Sequence, residues 1–387
     1  MENNLHSSVI ELSMKALKNN LTFLKQQIGE NIIFSSVVKG NAYGHGIEQY
    51  VPMAFKCGIK HFSVYSSDEA ERVHKILKNK ATIMVMGMIE SDEALKWAIE
   101  NDIEFFVFDF ERLEKATEIA KALNKKAIIH LELETGMNRT GFEAKHLSKV
   151  AGFISQQQEH IRFKGLCTHF AGAENIANFV RIEKQKENFH KLKEILLDFG
   201  LKPEINHTSC SAAVIRYPEM NLDMVRIGIL QFGLWPSVET FIEFIKDKES
   251  KQDPLKRLIT WKSKIMNTKE VKTGEFIGYG TSYLAQEDMK VALIPVGYAH
   301  GYSRSLSNHG RVLIKGKLVS IIGIVNMNAL MIDITNYPGI KKGDEAILIG
   351  TDGKKAISIA SFSEMSNQLN YEMLTRLPLN IPRMVKN

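Results

Sequence analysis

Eight short β-rich runs alternate with segments of helical apolar spacing over about the first 230 residues, and that rhythm leaves few architectures open. The runs lie near 32–39, 60–65, 81–86, 103–108, 127–134, 163–169, 204–208 and 224–230, with helical spacing between them, as at 12–27 and 179–199. An open doubly wound sheet and a closed (β/α)8 barrel both alternate in this way. The count of eight favours the α/β barrel of the TIM type, which takes about 250 residues. Beyond Trp235 and Pro236 the texture changes. A charged stretch over 246–256 is followed by strand-like runs at 260–268, 291–296, 311–314, 319–325, 329–334 and 345–349, broken by Gly, Asn and Asp. The expected organisation is a barrel over residues 1–240 and a second, mostly β domain over 241–387. The first residues, about ten of them, are candidates for the β domain.

Composition agrees with this and excludes other classes. The chain has 387 residues, 44% of them apolar, and single cores stop growing near about 250–300 residues. No run of about 18 apolar residues marks a membrane span, and residues 1–18 read as a strand entering an amphipathic helix rather than a cleavable leader, so the expected location is the cytoplasm. The three cysteines, Cys57, Cys167 and Cys210, are far apart, which argues against a disulfide framework or a thiolate metal site. The net charge of +6 comes from interspersed residues of both signs and leaves no nucleic-acid footprint.

The first barrel run ends in Lys39, followed by Gly40-Asn41-Ala42-Tyr43-Gly44-His45-Gly46. Side chains at the carboxyl ends of barrel strands face the active site, so Lys39 is expected in the mouth. Desolvation there disfavours an ammonium ion, and a neutral lysine can condense with an aldehyde. An isolated lysine at a strand end more often snorkels into solvent. Here the neighbours decide: segment 38–46 resembles the cofactor-lysine signature of the alanine racemases, with Gly40 where most members have alanine, and the similarity continues over nearly the whole chain.

The resemblance implies that Lys39 carries pyridoxal 5'-phosphate and that Tyr43 lies close to its phosphate. Residues 132–141 are similar to a family segment whose arginine stands near the cofactor and the substrate carboxylate, which gives that role to Arg139. A planar guanidinium suits it, since it grips an anion through two parallel hydrogen bonds. Glu134 replaces a common aspartate, and Glu132 stands where many relatives have a lysine that becomes carbamylated, so Glu132 is expected to supply a permanent negative charge. Thr168-His169-Phe170-Ala171 resembles a segment whose histidine belongs to the cofactor's surroundings, and His169 is expected to support the site rather than transfer protons.

Barrels often hold phosphate in the loops after their last two strands. Ser211, Gly228 and Ile229 stand there and match the family's phosphate-binding positions, while Cys210 departs from the usual asparagine. Arg226 matches the arginine that meets the cofactor's ring nitrogen. A guanidinium stays protonated, so that nitrogen would stay unprotonated and the ring would be a weaker electron sink, which limits side reactions such as transamination.

In the β domain, Gly278-Tyr279-Gly280-Thr281-Ser282-Tyr283 resembles the family segment whose first tyrosine works opposite the lysine. Racemisation removes a proton from one face of Cα and delivers another to the opposite face, a task for two acid/base groups. The resemblance makes Lys39 and Tyr279 that pair, with His169 and Arg226 expected to lend positive charge to a phenol whose ordinary pKa is near ~10. Residues 296–304 resemble a segment that places Tyr298 at the entrance, with His300 in place of an acid. Residues 325–328 resemble one that brings the Met327 amide to the substrate carboxylate, with Asn328 in place of aspartate and Ile324 in place of a common arginine. Tyr371 matches a C-terminal tyrosine that reaches the phosphate. In the family Tyr279, Tyr298 and Met327 complete the active site of the other subunit, which implies a homodimer.

The expected function is therefore pyridoxal-phosphate-dependent interconversion of L- and D-alanine, supplying D-alanine for peptidoglycan. A racemase of serine or of a broader range of amino acids stays open, because a methylene is worth only about 1–3 kcal/mol in a pocket. A non-catalytic pyridoxal-phosphate-binding barrel protein is a further alternative, though such proteins usually lack a second domain bearing a residue like Tyr279. A decarboxylase of related architecture would carry an acidic partner for the ring nitrogen, where this chain has Arg226.

Overall fold

The computed structural model describes residues 6–359 and 370–387. Contacts divide the chain into two compact units, one formed by Ala16–Ala42 and Tyr50–Lys256, the other by Met1–Lys15, Tyr43–Gln49 and Arg257–Asn387. The charged stretch 246–256 thus counts with the first of these, in which helix Val238–Ile245 packs on helix Ser211–Arg216.

After a first strand β1 (Ser8–Ser13), the chain builds eight parallel strands: β2 (Ile33–Val37), β3 (His61–Val64), β4 (Thr82–Val85), β5 (Glu104–Val107), β6 (Ala127–Glu132), β7 (Ile161–Cys167), β8 (Ile205–His207) and β9 (Met224–Ile227). Each pairs with the next from β2 to β8, and β2 pairs again with β9. The circle closes between β8 and β9 where the Asp223 amide donates to the Asn206 carbonyl at 3.1 Å and the Arg226 amide to the Ser209 carbonyl at 2.9 Å. This is the expected (β/α)8 barrel. Parallel strands covered on both faces read as continuous apolar runs, as in the Phe105-Phe106-Val107 of β5. The intervening helices bury one stripe each. Helix Phe110–Leu123 turns Leu113, Ala116, Thr117 and Ala120 inward, starts at Asp109, whose side chain accepts from the Arg112 amide, and stops at Asn124 in the left-handed region.

The barrel interior is unusually polar. Ser35, His61, Ser63, Glu104, His130, His207 and Arg226 are buried within its strands, where branched aliphatic side chains are the rule. Met84, Phe106, Cys167, Ile205 and Met224 form an apolar cluster beside them.

Among the described residues the second unit carries a sheet of ten strands. It comprises β1, β10 (Ile259–Lys264), β11 (Asn267–Val271), β12 (Met289–Ile294), β13 (Arg311–Ile314), β14 (Lys317–Ile322), β15 (Leu330–Asp333), β16 (Glu345–Asp352), β17 (Lys355–Ile357) and β18 (Arg383–Lys386). Strand β1 runs antiparallel to β10, with Ile10 opposite Trp261, and parallel to β18. The run expected at 260–268 is two strands rather than one, because the chain changes partners: β10 pairs with β16 and β11 with β12. At the break the Ile265 amide donates to Asp344 and the Met266 amide to Leu293. Among the described residues no helix is long and apolar enough to cross a membrane.

Candidate active site

Strand β2 ends at Val37, so Lys39 opens the loop at the carboxyl end of the barrel. The backbone then does something the sequence did not announce. Gly40, Asn41, Ala42 and Tyr43 have φ of 61°, 55°, 53° and 51°, one turn of left-handed helix. Each non-glycine residue held there costs roughly 1–2 kcal/mol, so the turn needs outside support. Glu69 and Arg72 supply it: the Asn41 amide donates to Glu69 Oε1 at 3.1 Å, Arg72 Nη2 donates to Asn41 Oδ1 at 2.7 Å, and the other oxygen of Glu69 accepts from the Tyr65 amide. Lys39 itself reaches solvent in the mouth but is ringed by enough protein that burial lowers its pKa, helped next by the charge of Arg139. The amine is thereby biased towards its neutral, nucleophilic form.

Arg226 lies on β9, buried, and is held by backbone carbonyls: Nη1 donates to His207 at 3.0 Å, Nη2 to Thr168 at 2.7 Å and to Thr208 at 3.1 Å. Nη1 also donates to Nδ1 of His207. At the ends of β8 and β9 the Gly228 amide donates to the Ser211 hydroxyl at 2.9 Å, which ties together the two loops that carry Ser211, Gly228 and Ile229. Arg139 follows β6 and His169 follows β7, so the barrel unit brings Lys39, Arg139, His169, Ser211, Arg226, Gly228 and Ile229 to one end.

The charges at this end are mostly positive. Burial, then Arg226, Arg139 and Lys39 in that order, push the pKa of His169 down to about 3. His169 is thereby held towards its neutral form, and of the two groups expected to carry positive charge Arg226 is the fixed cation. Glu132 is buried and accepts from the Thr140 hydroxyl at 2.8 Å. Burial raises its pKa, against the hydrogen bond and the charges of Arg139 and Arg226, which favour the carboxylate.

The second unit carries the other expected residues. Tyr43 and Tyr371 meet edge to face with ring centroids 6.1 Å apart. The approach is close because of Gly44, whose φ is +78° and where a β-carbon would fall 1.9 Å from the Leu374 carbonyl oxygen. Tyr279 sits between Gly278 and Gly280, both at positive φ, at the tip of a turn closed by the Ile277 amide donating to Tyr283, and is 72% exposed. Tyr298 and Met327 lie on two loops zipped together, the Tyr298 amide donating to Asn326 and the Ala299 amide to Met327. Asn308 links the Tyr279 turn to the second of these loops, donating to the Ser282 carbonyl at 3.2 Å and accepting from the Gly323 amide at 2.6 Å.

Sequence reasoning overlooked the imidazoles behind Arg226. His207, His130 and Glu104 form a buried chain, and the signal was present: charged or imidazole residues inside strand runs that are otherwise apolar.

An amine of lowered pKa at the carboxyl end of a (β/α)8 barrel, flanked by arginines, together with a β unit presenting an exposed tyrosine, is the layout of the barrel-type amino-acid racemases. Residues 12–236 match the family described as alanine racemase, N-terminal domain, and residues 258–385 match alanine racemase, C-terminal domain. The chain belongs to the alanine racemase family, and so to the amino-acid racemases. It is 34% identical over 380 residues to the alanine racemase of Leptospira interrogans, covering 98% of this chain and 96% of the relative. Among solved structures it resembles the alanine racemase from Bacillus anthracis with bound L-Ala-P, at 30% identity and a TM-score of 0.89, with 99% and 95% of the two chains covered. It also resembles the histidine racemase from Leuconostoc mesenteroides subsp. sake, at 26% identity and a TM-score of 0.88, with 99% of each chain covered.

Proposed function

We propose that this protein is a pyridoxal-phosphate-dependent alanine racemase that works in the cytoplasm as a homodimer and supplies D-alanine for peptidoglycan. The observation that carries the reading is Lys39, an amine of lowered pKa beside Arg139 and Arg226 at the carboxyl end of the barrel. The donor set fits the cofactor. The guanidiniums of Arg139 and Arg226 and the Lys39 amine all act on His169, which suits a phosphorylated aromatic aldehyde bearing a phenolic oxygen. Lys39 would hold the aldehyde carbon; Ser211 and the Gly228 and Ile229 amides would hold the phosphate, with Tyr43 and Tyr371 nearby; Arg226 would face the ring nitrogen. When bound, pyridoxal phosphate draws electrons from the amino acid's Cα and makes its hydrogen acidic.

This chain's residues then divide the work. Lys39, biased towards the neutral amine, takes or returns a proton on one face of Cα, and the Tyr279 hydroxyl does so on the other. Arg139 grips the substrate carboxylate together with the Met327 amide, Tyr298 lines the entrance, and His169 fills the wall as a neutral imidazole. Arg226, whose guanidinium does not give up its proton, weakens the electron sink and so favours return of the proton to Cα over loss of the amino group. Support for the dimer comes from the second unit, where Tyr279, Tyr298 and Met327 are 72%, 42% and 55% exposed, an aromatic and thioether surface that a second subunit would cover.

The test is a racemisation assay on protein loaded with pyridoxal phosphate, using alanine, serine, histidine and larger amino acids. Preferred turnover of alanine is expected. The departures at Ile324, Asn328 and His300 and the likeness to a histidine racemase favour a broader substrate range as the second reading. Clear turnover of a larger amino acid without alanine would establish that alternative, and no turnover of any would reject racemisation.

A further inference from the structure

Resting on the reading of Arg226 given above, we propose that Glu104 is a positioning residue, whose carboxylate sets through His130 and His207 which nitrogens carry protons and so holds the Arg226 guanidinium in place as a donor. The contacts form one line through the barrel. Glu104 Oε2 lies 2.9 Å from His130 Nε2, His130 Nδ1 lies 2.8 Å from His207 Nε2, and His207 Nδ1 accepts from Arg226 Nη1. All four side chains are buried.

Polarity follows from elementary donor and acceptor rules. An ionised carboxylate only accepts, so His130 Nε2 carries the proton it shares with Glu104. A neutral imidazole has one donor and one acceptor, so His130 Nδ1 accepts from His207 Nε2, and His207 Nδ1 is left to accept from Arg226. One assignment satisfies every nitrogen, with both rings neutral, the anion at one end and the cation at the other. Electrostatics agree. Burial would raise the pKa of Glu104, but hydrogen bonds from His130 and His61 hold it far below the ordinary carboxylate range. Burial also lowers the pKa of His130 and, with the charge of Arg226 next, that of His207, so neither ring charges.

The line is built in. A register shift in the β6–β7 pairing falls between Ile129 and His130, and Gly165 opposite leaves the space that His130 Nδ1 fills. The other groups facing the line are His61, which meets Glu104 Oε2 at 3.2 Å and Ser35 Oγ at 2.9 Å, and Lys164, whose charge also opposes protonation of His130. Glu104 and His61 border a cavity of about 890 Å³ at the amino-terminal end of the strands, away from Lys39.

The experiment is ¹⁵N NMR of histidine-labelled protein, free of cofactor and then loaded, with racemisation and amino-group loss assayed on the same samples. In the unaltered protein His130 and His207 should carry protons on Nε2 only and stay neutral at their ordinary titration point and above it. In Glu104→Gln, where the side-chain amide can also donate, His207 should show Nδ1 protonation, kcat should fall about tenfold with KM within about twofold, and the share of amino-group loss should rise. Ser35→Ala, which removes contacts to His61 and Ser63 but none to the line itself, should leave the His207 signals and kcat in place. A proton on His207 Nδ1 in the unaltered protein overturns the proposal even if Glu104→Gln fails to fold. A shifted tautomer with unchanged kcat and product ratio overturns it too. A protein that racemises nothing would sink the functional reading, and the tautomers alone would then judge the relay.

Discussion

A β-carbon built on Gly165 would fall 2.0 Å from Nδ1 of His130, so the imidazole occupies the only room a side chain at that position would have. Gly165→Ala must displace either the β7 backbone or the histidine. Overpacking of this kind costs about 1–3 kcal/mol. The variant should unfold at lower denaturant with an unchanged slope, and an unaltered midpoint would contradict the packing described.

Acid should weaken the cofactor-free protein in a window set by its buried histidines. His169 titrates at its ordinary 6.5 when unfolded and at about 3 when folded. As pH falls below 6.5 the unfolded chain therefore takes up the proton first, and stability is lost progressively down to about pH 3. His130 and His207 act with the same sign. Glu104, held below its ordinary 4.5, adds stability above that value that is lost as pH falls through lower values. Chemical denaturation at a series of pH values should show His169→Gln flatter by up to about 1.4 kcal/mol per pH unit below 6.5. Parallel curves would show that His169 charges normally in the fold.

Glu132 offers a test of charge without a change of shape. Glu132→Gln can keep the hydrogen bond from Thr140 but removes the anion that Arg139 and Arg226 favour. With that charge gone, Arg139 is less well held, and KM for the amino acid should rise about three- to tenfold with kcat changed less than about twofold. Unchanged kinetics would remove the role given to Glu132.

Shared active sites can be checked by mixing two inactive proteins. If Lys39 and Tyr279 of different subunits serve one site, Lys39→Ala and Tyr279→Phe subunits that exchange freely give about half mixed dimers, each with one intact site. About a quarter of the native activity should return. No recovery, with exchange of subunits shown independently, would place both residues in the same chain's site.

The eight barrel strands were legible because strands buried on both faces must be apolar throughout, and nothing else in the chain repeats that pattern at that spacing. The termini were harder: β1 and β18 pair across almost the whole sequence, with Ile10 beside Arg383, and β18 is a half-exposed edge strand with little apolar signal. Lys39 and Arg226 could be placed from their neighbours at strand ends. The left-handed turn that follows Lys39 could not, since Ala42 and Tyr43 have no preference for positive φ and the turn is held by Glu69 and Arg72 acting on Asn41. Nor could the line from Glu104 to Arg226, because hydrogen bonds between strands far apart in sequence depend on the curvature of the closed barrel.

The central claim is that one proton site lies on each side of Cα, at Lys39 and at Tyr279, and it is tested most directly in heavy water with Tyr279→Phe. The variant should keep the visible absorbance of the bound cofactor and lose interconversion by about 100-fold or more, while one alanine enantiomer still exchanges its Cα hydrogen for deuterium. Near-normal interconversion, or equal loss of exchange from both enantiomers, would contradict it.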